Sequence, residues 1–188
     1  DGQAVTCDDF VSAMQDASGV ELQQFKLWYK QNGTPTLNVT THYDDHANIF
    51  SVNVSQHHAQ NDPVSDPLHI PFAIELLDDA GEAIPLICNG HEVAKTLSLT
   101  TDTHQFVFEN VESKPVPVLL EDFSAPCIVK YDYHLDQLLH IIKYASSDYA
   151  RWEAMQQAFL LEVCTAVEQL NVGNTYSLHS TLINTLQE

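Results

Sequence analysis

The stretch that most constrains this fold is residues 66–86, DPLHIPFAIELLDDAGEAIPL. Apolar residues fall at Leu68, Ile70, Phe72, Ile74 and Leu76, the two-residue period of a strand with one buried face. Asp78-Asp79-Ala80-Gly81 supplies turn chemistry, because Gly81 is free to take a positive φ. A second short apolar run then returns over residues 83–87. Strand, tight turn and strand predict a hairpin. Pro71 has no N–H to donate, which places it at an edge or a bulge. Nothing in this stretch is chemically reactive, so the chain reads first as a scaffold.

The flanks differ in period. Thr6 followed by Asp9 predicts a capping box, with Phe10, Val11 and Met14 on one helical face and Ser18-Gly19 as its end. A second helix carries Leu22, Phe25 and Tyr29, with Trp28 beside them. Asn32-Gly33 is its expected stop, Gly33 taking a positive φ, and Pro35 fixes the entry to the first strand. From residue 36 the period becomes two: Leu37, Val39, Thr41 and Tyr43, a turn at 44–48, then Phe50, Val52 and Val54. Residues 57–67 read as a polar loop. Beyond the hairpin come a turn at Asn89-Gly90, a strand within 93–99, and another marked by Phe106 and Phe108. Pro115 and Pro117 exclude a central strand. A last strand within 119–133 places Val129, Tyr131 and Tyr133 on one face. The helical period then resumes with Leu135, Leu138, Leu139 and Ile142. A helix capped by Ser147 or Asp148 comes next, carrying Trp152, Met155, Phe159, Val163, Val167 and Leu170, and a further segment begins at 177. The expected fold is therefore mixed and mainly β. It is an antiparallel β-sandwich flanked by an N-terminal helical tail and a C-terminal α-helical segment.

Charge narrows the partners. Seven Lys and Arg oppose 26 Asp and Glu, a formal charge of −19. Such a chain repels a phosphate backbone and an anionic membrane surface, so no nucleic acid and no membrane partner is expected. No apolar run approaches membrane-spanning length. The opening DGQAVTCDDF has neither a basic nor an apolar leader region, and it reads as a cut through a longer protein. Cys7, Cys88, Cys127 and Cys164 are scattered without CxxC spacing. That fits separate packed thiols in a reducing, cytoplasmic compartment.

No catalytic, cofactor-binding or metal-ligating residue is assigned. There are ten histidines. His42 and His46 are four apart but bracket a turn, and that spacing converges on a metal only along a helix. His57 and His58 are neighbours in a polar loop, where imidazoles are ordinarily solvated. His91-Glu92-Val93-Ala94-Lys95 narrowly misses the HExxH zinc motif, since Lys95 replaces the second imidazole and the segment reads as strand. No GxSxG elbow or Gly-rich phosphate loop occurs. Trp28 and Tyr29, or Trp152 and Phe159, could line a ligand groove, although packing against a neighbouring domain is the commoner use of such stripes. The sequons at Asn32, Asn38 and Asn53 carry meaning only in a secreted protein.

Several stretches match a known family in order: DGQAVTCDDFVSAMQDASGV, FKLWYKQNGTPTLNV, PLHIPFAIELLDDAGEAIPL, FVFENV and VPVLLEDFSAP. They resemble the middle of the bacterial aminopeptidase N family, zinc metallopeptidases of family M1 with HExxH and GxMEN motifs. The most specific stretch is the W-Y-x-Q-x-G-T-P run from Trp28 to Pro35. The resemblance implies that residues 1–32 end a catalytic domain, 33–133 form a β-sandwich domain, and 134–188 open a C-terminal helical domain. It implies zinc as cofactor, peptides as substrates, and neighbouring catalytic and helical domains as partners of the parent enzyme. The motif residues themselves have no counterpart here. The chain is thus expected to be a non-catalytic spacer, inactive alone and able to self-associate through its helical end. The competing expectation is a free-standing extracellular β-sandwich adhesion or interaction module.

Overall fold

The computed structural model describes residues 4–57 and 66–185. The loop histidine His58 lies outside them. Helix α1 (Cys7–Ser18) starts with the expected capping box, Thr6 Oγ1 accepting from Asp9 N–H and Asp9 accepting from Thr6 N–H. Of its three expected core residues only Val11 is buried; Phe10 and Met14 face outward. The second helix is a single 3-10 stretch, Phe25–Tyr29. Its N-cap, Gln24, gives the helix no side-chain cap, because its amide donates instead to the carbonyls of Pro67 and Thr100.

Nine strands come next among the described residues. β1 (Thr36–Asp44) and β2 (Ile49–His57) form a long antiparallel hairpin. After β3 (Ile70–Leu77) come the short β4 (Ile87–Cys88) and β5 (His91–Glu92), joined across Asn89-Gly90. β6 (Thr96–Leu99), β7 (Thr103–Phe108), β8 (Val116–Leu119) and β9 (Ile128–Lys130) complete the set. One sheet has the order β7-β2-β1-β9 and the other β6-β3-β8. Their inner faces enclose one core, from Leu37, Phe50 and Val52 on one side to Ile70, Phe72 and Ile74 on the other, with the Phe72 and Phe106 rings stacked. The antiparallel sandwich is present, with one exception: β9 runs parallel to β1. It reaches that position from an irregular connection rather than from a hairpin, and parallel pairing requires such a crossover.

One local expectation needs correction. The return arm of the 66–86 hairpin is a single bridge, Leu77 to Ala83, with Ile84 N–H donating to Leu76 O. Pro85 cannot donate to a ladder, so the arm stops there and β3 pairs with β6 and β8 instead. Pro71 does sit at an edge. Ile74 N–H points to the β6 side and Ala73 N–H to Ser124 on the other side. Alternation therefore turns Pro71 N to the second side, where β8 pairs only from Ile74 onward. Pro117 lies in β8, an edge strand, as two prolines require.

Three helices follow among the described residues: α2 (Leu135–Tyr144), α3 (Asp148–Asn171) and α4 (Ser180–Thr185). Ser147 caps α3 by accepting from Ala150 N–H. A second core joins Leu77 and Val118 to Leu138, Ile141, Ala150, Ala154, Ala158 and Leu182. The α3 face that packs is thus the small-residue row at 150, 154 and 158, continued by Glu162, while Trp152 (52%), Phe159 (43%) and Val163 (58%) stay exposed. Alanines let the helix approach α2 closely, and the wide apolar stripe is left on the outside.

Gly33 has φ +90, three residues beyond Lys30, which caps the 3-10 stretch. A β-branched side chain resists that conformation. Gly33→Val should destabilise by on the order of 1 kcal/mol or more, read as a lowered melting temperature.

Candidate functional site

The groups that stand out are the joints by which β3 grips a helical element at each end. Ahead of β3, four consecutive carbonyls are each taken by a side chain. Asp66 O accepts from Gln31 at 2.8 Å, Pro67 O from Gln24 at 2.9 Å, Leu68 O from Gln56 at 3.1 Å and His69 O from the Trp28 indole at 2.9 Å. Irregular backbone in a protein interior must find partners of this kind, since an unmet carbonyl there is costly. Three of the four donors come from the N-terminal segment, so this ladder ties that segment to the sandwich.

Within β3, even-numbered side chains enter the sandwich core, and the odd-numbered side is covered as well. The odd side holds Glu75, only 2% exposed. Lys95 donates to Glu75 Oε1 at 2.8 Å, to Glu121 Oε1 at 3.3 Å and to Ser146 Oγ at 3.2 Å. Ser146, in the α2–α3 corner, donates its N–H to Glu75 Oε2 at 3.1 Å and its hydroxyl to Glu121 at 2.7 Å. Burial pushes the Glu75 carboxyl up, but the hydrogen bonds from Lys95 and Ser146 outweigh it and hold the group below its ordinary value. Burial lowers Lys95, and the bond to Glu75 with the charge of Glu121 turns that into a net rise. Each group therefore favours its charged form.

The backbone beside this cluster is strained. Leu120, Asp122 and Phe123 all have positive φ, between +53° and +57°, a conformation that costs non-glycine residues roughly 1–2 kcal/mol each. Buried Glu121 and the Ser147 hydroxyl donating to Asp122 at 2.5 Å hold it there. At the far end of β3 the 78–81 turn docks on α2: His140 Nε2 donates to Asp78 O at 2.8 Å, and Gly81 (φ +85) lies directly against the Tyr144 ring. A further buried carboxylate, Glu162, fastens the α3–α4 connection by accepting from Tyr176 and from His179. Burial raises it, while those bonds keep it net below its ordinary value.

Among the described residues, those weighed in the sequence do not converge. His42, His46 and His57 are exposed on β1, its turn and the end of β2. His91 and Glu92 are exposed in β5, while Lys95 turns inward to Glu75. Trp28 packs against the sandwich core. Cys7 and Cys164 are exposed free thiols, and burial pushes the Cys127 thiol up to about 12, leaving it unreactive. Among the described residues no three His, Cys, Asp or Glu side chains form a possible metal site, so those residues offer no ligand set for a catalytic zinc. The cavity between β8, α2 and α3 is about 40 Å³, lined by Leu138, Ala150 and Ala154 among others, room for little more than water. Sequence reading missed Glu75, Lys95 and Glu121. The available signal was a lone carboxylate in the middle of FAIELL, flanked on both sides by apolar residues.

Residues 33–132 match the family described as "Domain of unknown function (DUF3458) Ig-like fold". The chain belongs to this family. It is homologous to aminopeptidase N of Escherichia coli K12, with 41% identity over 95% of the chain, and to aminopeptidase N of Haemophilus influenzae Rd, with 36% over 99%. The chain spans about a fifth of these curated relatives, 21% and 22% of their lengths. The crystal structure of Legionella pneumophila aminopeptidase A in complex with aspartic acid superimposes over the whole chain with a TM-score of 0.83 at 27% identity, again covering 20% of that protein. These relatives give the Ig-like domain a place inside aminopeptidases and lend nothing to a free-standing adhesion module. Among the described residues no helix is long and apolar enough to cross a membrane.

The joints make two testable demands. Lys95→Met strands two buried carboxylates and should cost on the order of 3 kcal/mol, the lower part of the range because Lys95 is half exposed; Glu75→Gln added to it should recover part of the loss. Since the folded-state value of Glu75 lies below the ordinary 4.5, its stabilisation is complete above that pH and is lost as pH falls below it. Wild-type stability should drop across this acid range in urea titrations, and the Lys95→Met variant should show a shallower drop. Gly81→Ala puts a methyl group into the Tyr144 ring at a positive φ and should cost about 2–3 kcal/mol. Tyr144→Ala in the same chain should make that cost smaller, a non-additivity that thermal melts will show.

Proposed function

We propose that this chain is the central, non-catalytic joint of a zinc aminopeptidase that removes N-terminal amino acids from peptides. In this reading residues 1–32 end the catalytic domain, 33–133 are the β-sandwich spacer, and 134–188 begin the helical domain. The observation that carries it is the double attachment of β3, through amide donors to the N-terminal segment and through Lys95, Glu75, Glu121 and Ser146 to the α2–α3 corner. A spacer that is fixed at both ends sets the distance and angle between its two neighbouring domains.

The zinc of the longer enzyme would supply Lewis-acid activation of the scissile carbonyl and of water, on ligands supplied by its catalytic domain. This chain's residues would contribute position alone. Its partners are then the neighbouring catalytic and helical domains, with peptides as substrates of the whole enzyme. Four cysteines without a disulfide among them fit a cytoplasmic setting. The exposed α3 stripe also disposes the chain to self-association.

A segment exchange tests the reading. Replacing the homologous segment of Escherichia coli aminopeptidase N by residues 1–188 should leave hydrolysis of an aminoacyl anilide within about tenfold of the parent, since positioning, not chemistry, is what the segment provides. The isolated chain with added zinc should show no hydrolysis. A folded, zinc-loaded chimera without activity would overturn the assignment, as would turnover by the isolated chain.

A further inference from the structure

We infer that the groove between α3 and the end of the sandwich, walled by Tyr131, Tyr133, Tyr149, Glu153 and Gln157, binds the guanidinium of an arginine side chain presented by a peptide. The peptide as its source rests on the proposed aminopeptidase reading. The guanidinium chemistry rests on the groove alone.

Two periods meet to make the groove. On α3, Tyr149, Glu153 and Gln157 stand four residues apart and so share one face. Opposite them, Tyr131 and Tyr133 follow directly on β9. The space between is about 80 Å³, and it continues past Gln157 to Leu161. Every ring is fixed in place. The Tyr131 hydroxyl shares a hydrogen bond with Thr41 Oγ1 at 2.9 Å, and the Tyr133 hydroxyl donates to Pro117 O at 2.8 Å. These two rings meet edge to face at 4.5 Å. Tyr149 contacts the Phe123 ring at 5.5 Å and the Trp152 ring at 6.1 Å. The groove is therefore shaped before any ligand arrives.

Glu153 decides the ligand. It is partly buried, and among the described residues it has one hydrogen bond, from Gln157 to Oε1 at 3.3 Å, and no ion pair. It stands close to Tyr149, whose phenol is pushed up by burial and then by the Glu153 charge. A neutral or apolar occupant would strip water from this carboxylate and return nothing, which is costly. An anion would meet both Glu153 and a net charge of −19. A cation is left, and the rings choose its kind. A guanidinium is planar and weakly hydrated. Its edge offers paired donors to a carboxylate while its face stacks on tyrosine. An ammonium is a compact, strongly hydrated charge that gives up its water less readily. Leu161, further along, gives the arginine's methylene stem an apolar rest.

Saturation-transfer NMR with Nα-acetyl-arginine methylamide tests the inference, because the blocked amine keeps this probe from being an aminopeptidase substrate. The chain should give a saturable signal, and the lysine analogue should bind about threefold or more weaker. Glu153→Gln should weaken binding by about tenfold, and Tyr149→Leu by about threefold or more, both with unchanged circular dichroism. Glu168→Gln removes an exposed carboxylate outside the groove. Roughly 22 Å of helix separates it from Glu153, beyond the Debye length, so binding should stay within about twofold. No signal from the chain overturns the proposal. So does binding indifferent to Glu153→Gln, a loss matched by Glu168→Gln, or a preference for the lysine probe. The segment-exchanged Escherichia coli enzyme shows whether the groove stays open in a longer protein: it should give the signal and lose it with Glu153→Gln. An exchanged enzyme that hydrolyses its anilide but does not bind the probe overturns this inference while leaving the aminopeptidase reading in place.

Discussion

Everything in this molecule depends on β3 being covered on both faces. A strand with one buried face needs one partner sheet, and the alternation of Leu68, Ile70, Phe72, Ile74 and Leu76 provides for that. The opposite face carries Ala73, Glu75 and Leu77, and those residues are buried too. Burying a carboxylate there is tolerable only because Lys95 and the Ser146 N–H meet its two oxygens. Lys95 is held by two carboxylates, Glu121 by the lysine and by Ser146, and the strained 120–123 backbone by Glu121 and Ser147. The cluster closes on itself, which explains how so many left-handed residues persist side by side.

The same strand decides what the helices can do. α2 and α3 meet the sandwich through Leu77, Val118 and the joint at Ser146, so α3 has to come close along its alanine row. That leaves the large apolar side chains outward. In most surface helices the bulky stripe is the buried one. Here two stripes compete, and the geometry of the corner, set by Ser147 as cap and Ser146 as ligand to Glu75, selects the small one.

Much of this was legible in the sequence. Period-two runs located β1, β2, β3 and β7, and the caps at Thr6 and Ser147 were visible because their chemistry is local. Proline correctly marked the edge positions at Pro71 and Pro117. The misses were all non-local. The missing N–H of Pro85 was there to be read as the end of the return arm, but nothing in residues 83–87 says that β3 will pair instead with strands far along the chain. Nothing near Ile128 announces a parallel partner at Thr36. The joint residues Glu75, Lys95 and Glu121 are separated by tens of positions and become a cluster only through the fold. Spacing along the chain could not say what these charged residues do.

The two ends of β3 are held by different kinds of donor, and this orders how the molecule comes apart. The carbonyls of 66–69 are met by glutamine amides and an indole, groups that keep their protons and their neutrality through ordinary acid. The Ser146 corner relies on the buried Glu75 carboxylate, whose ionised form the hydrogen bonds from Lys95 and Ser146 favour. Acid therefore loosens one attachment and spares the other. The C-terminal helices would let go first while the N-terminal segment still clings to an intact sandwich, so that the failure of the structure has a direction written along a single strand.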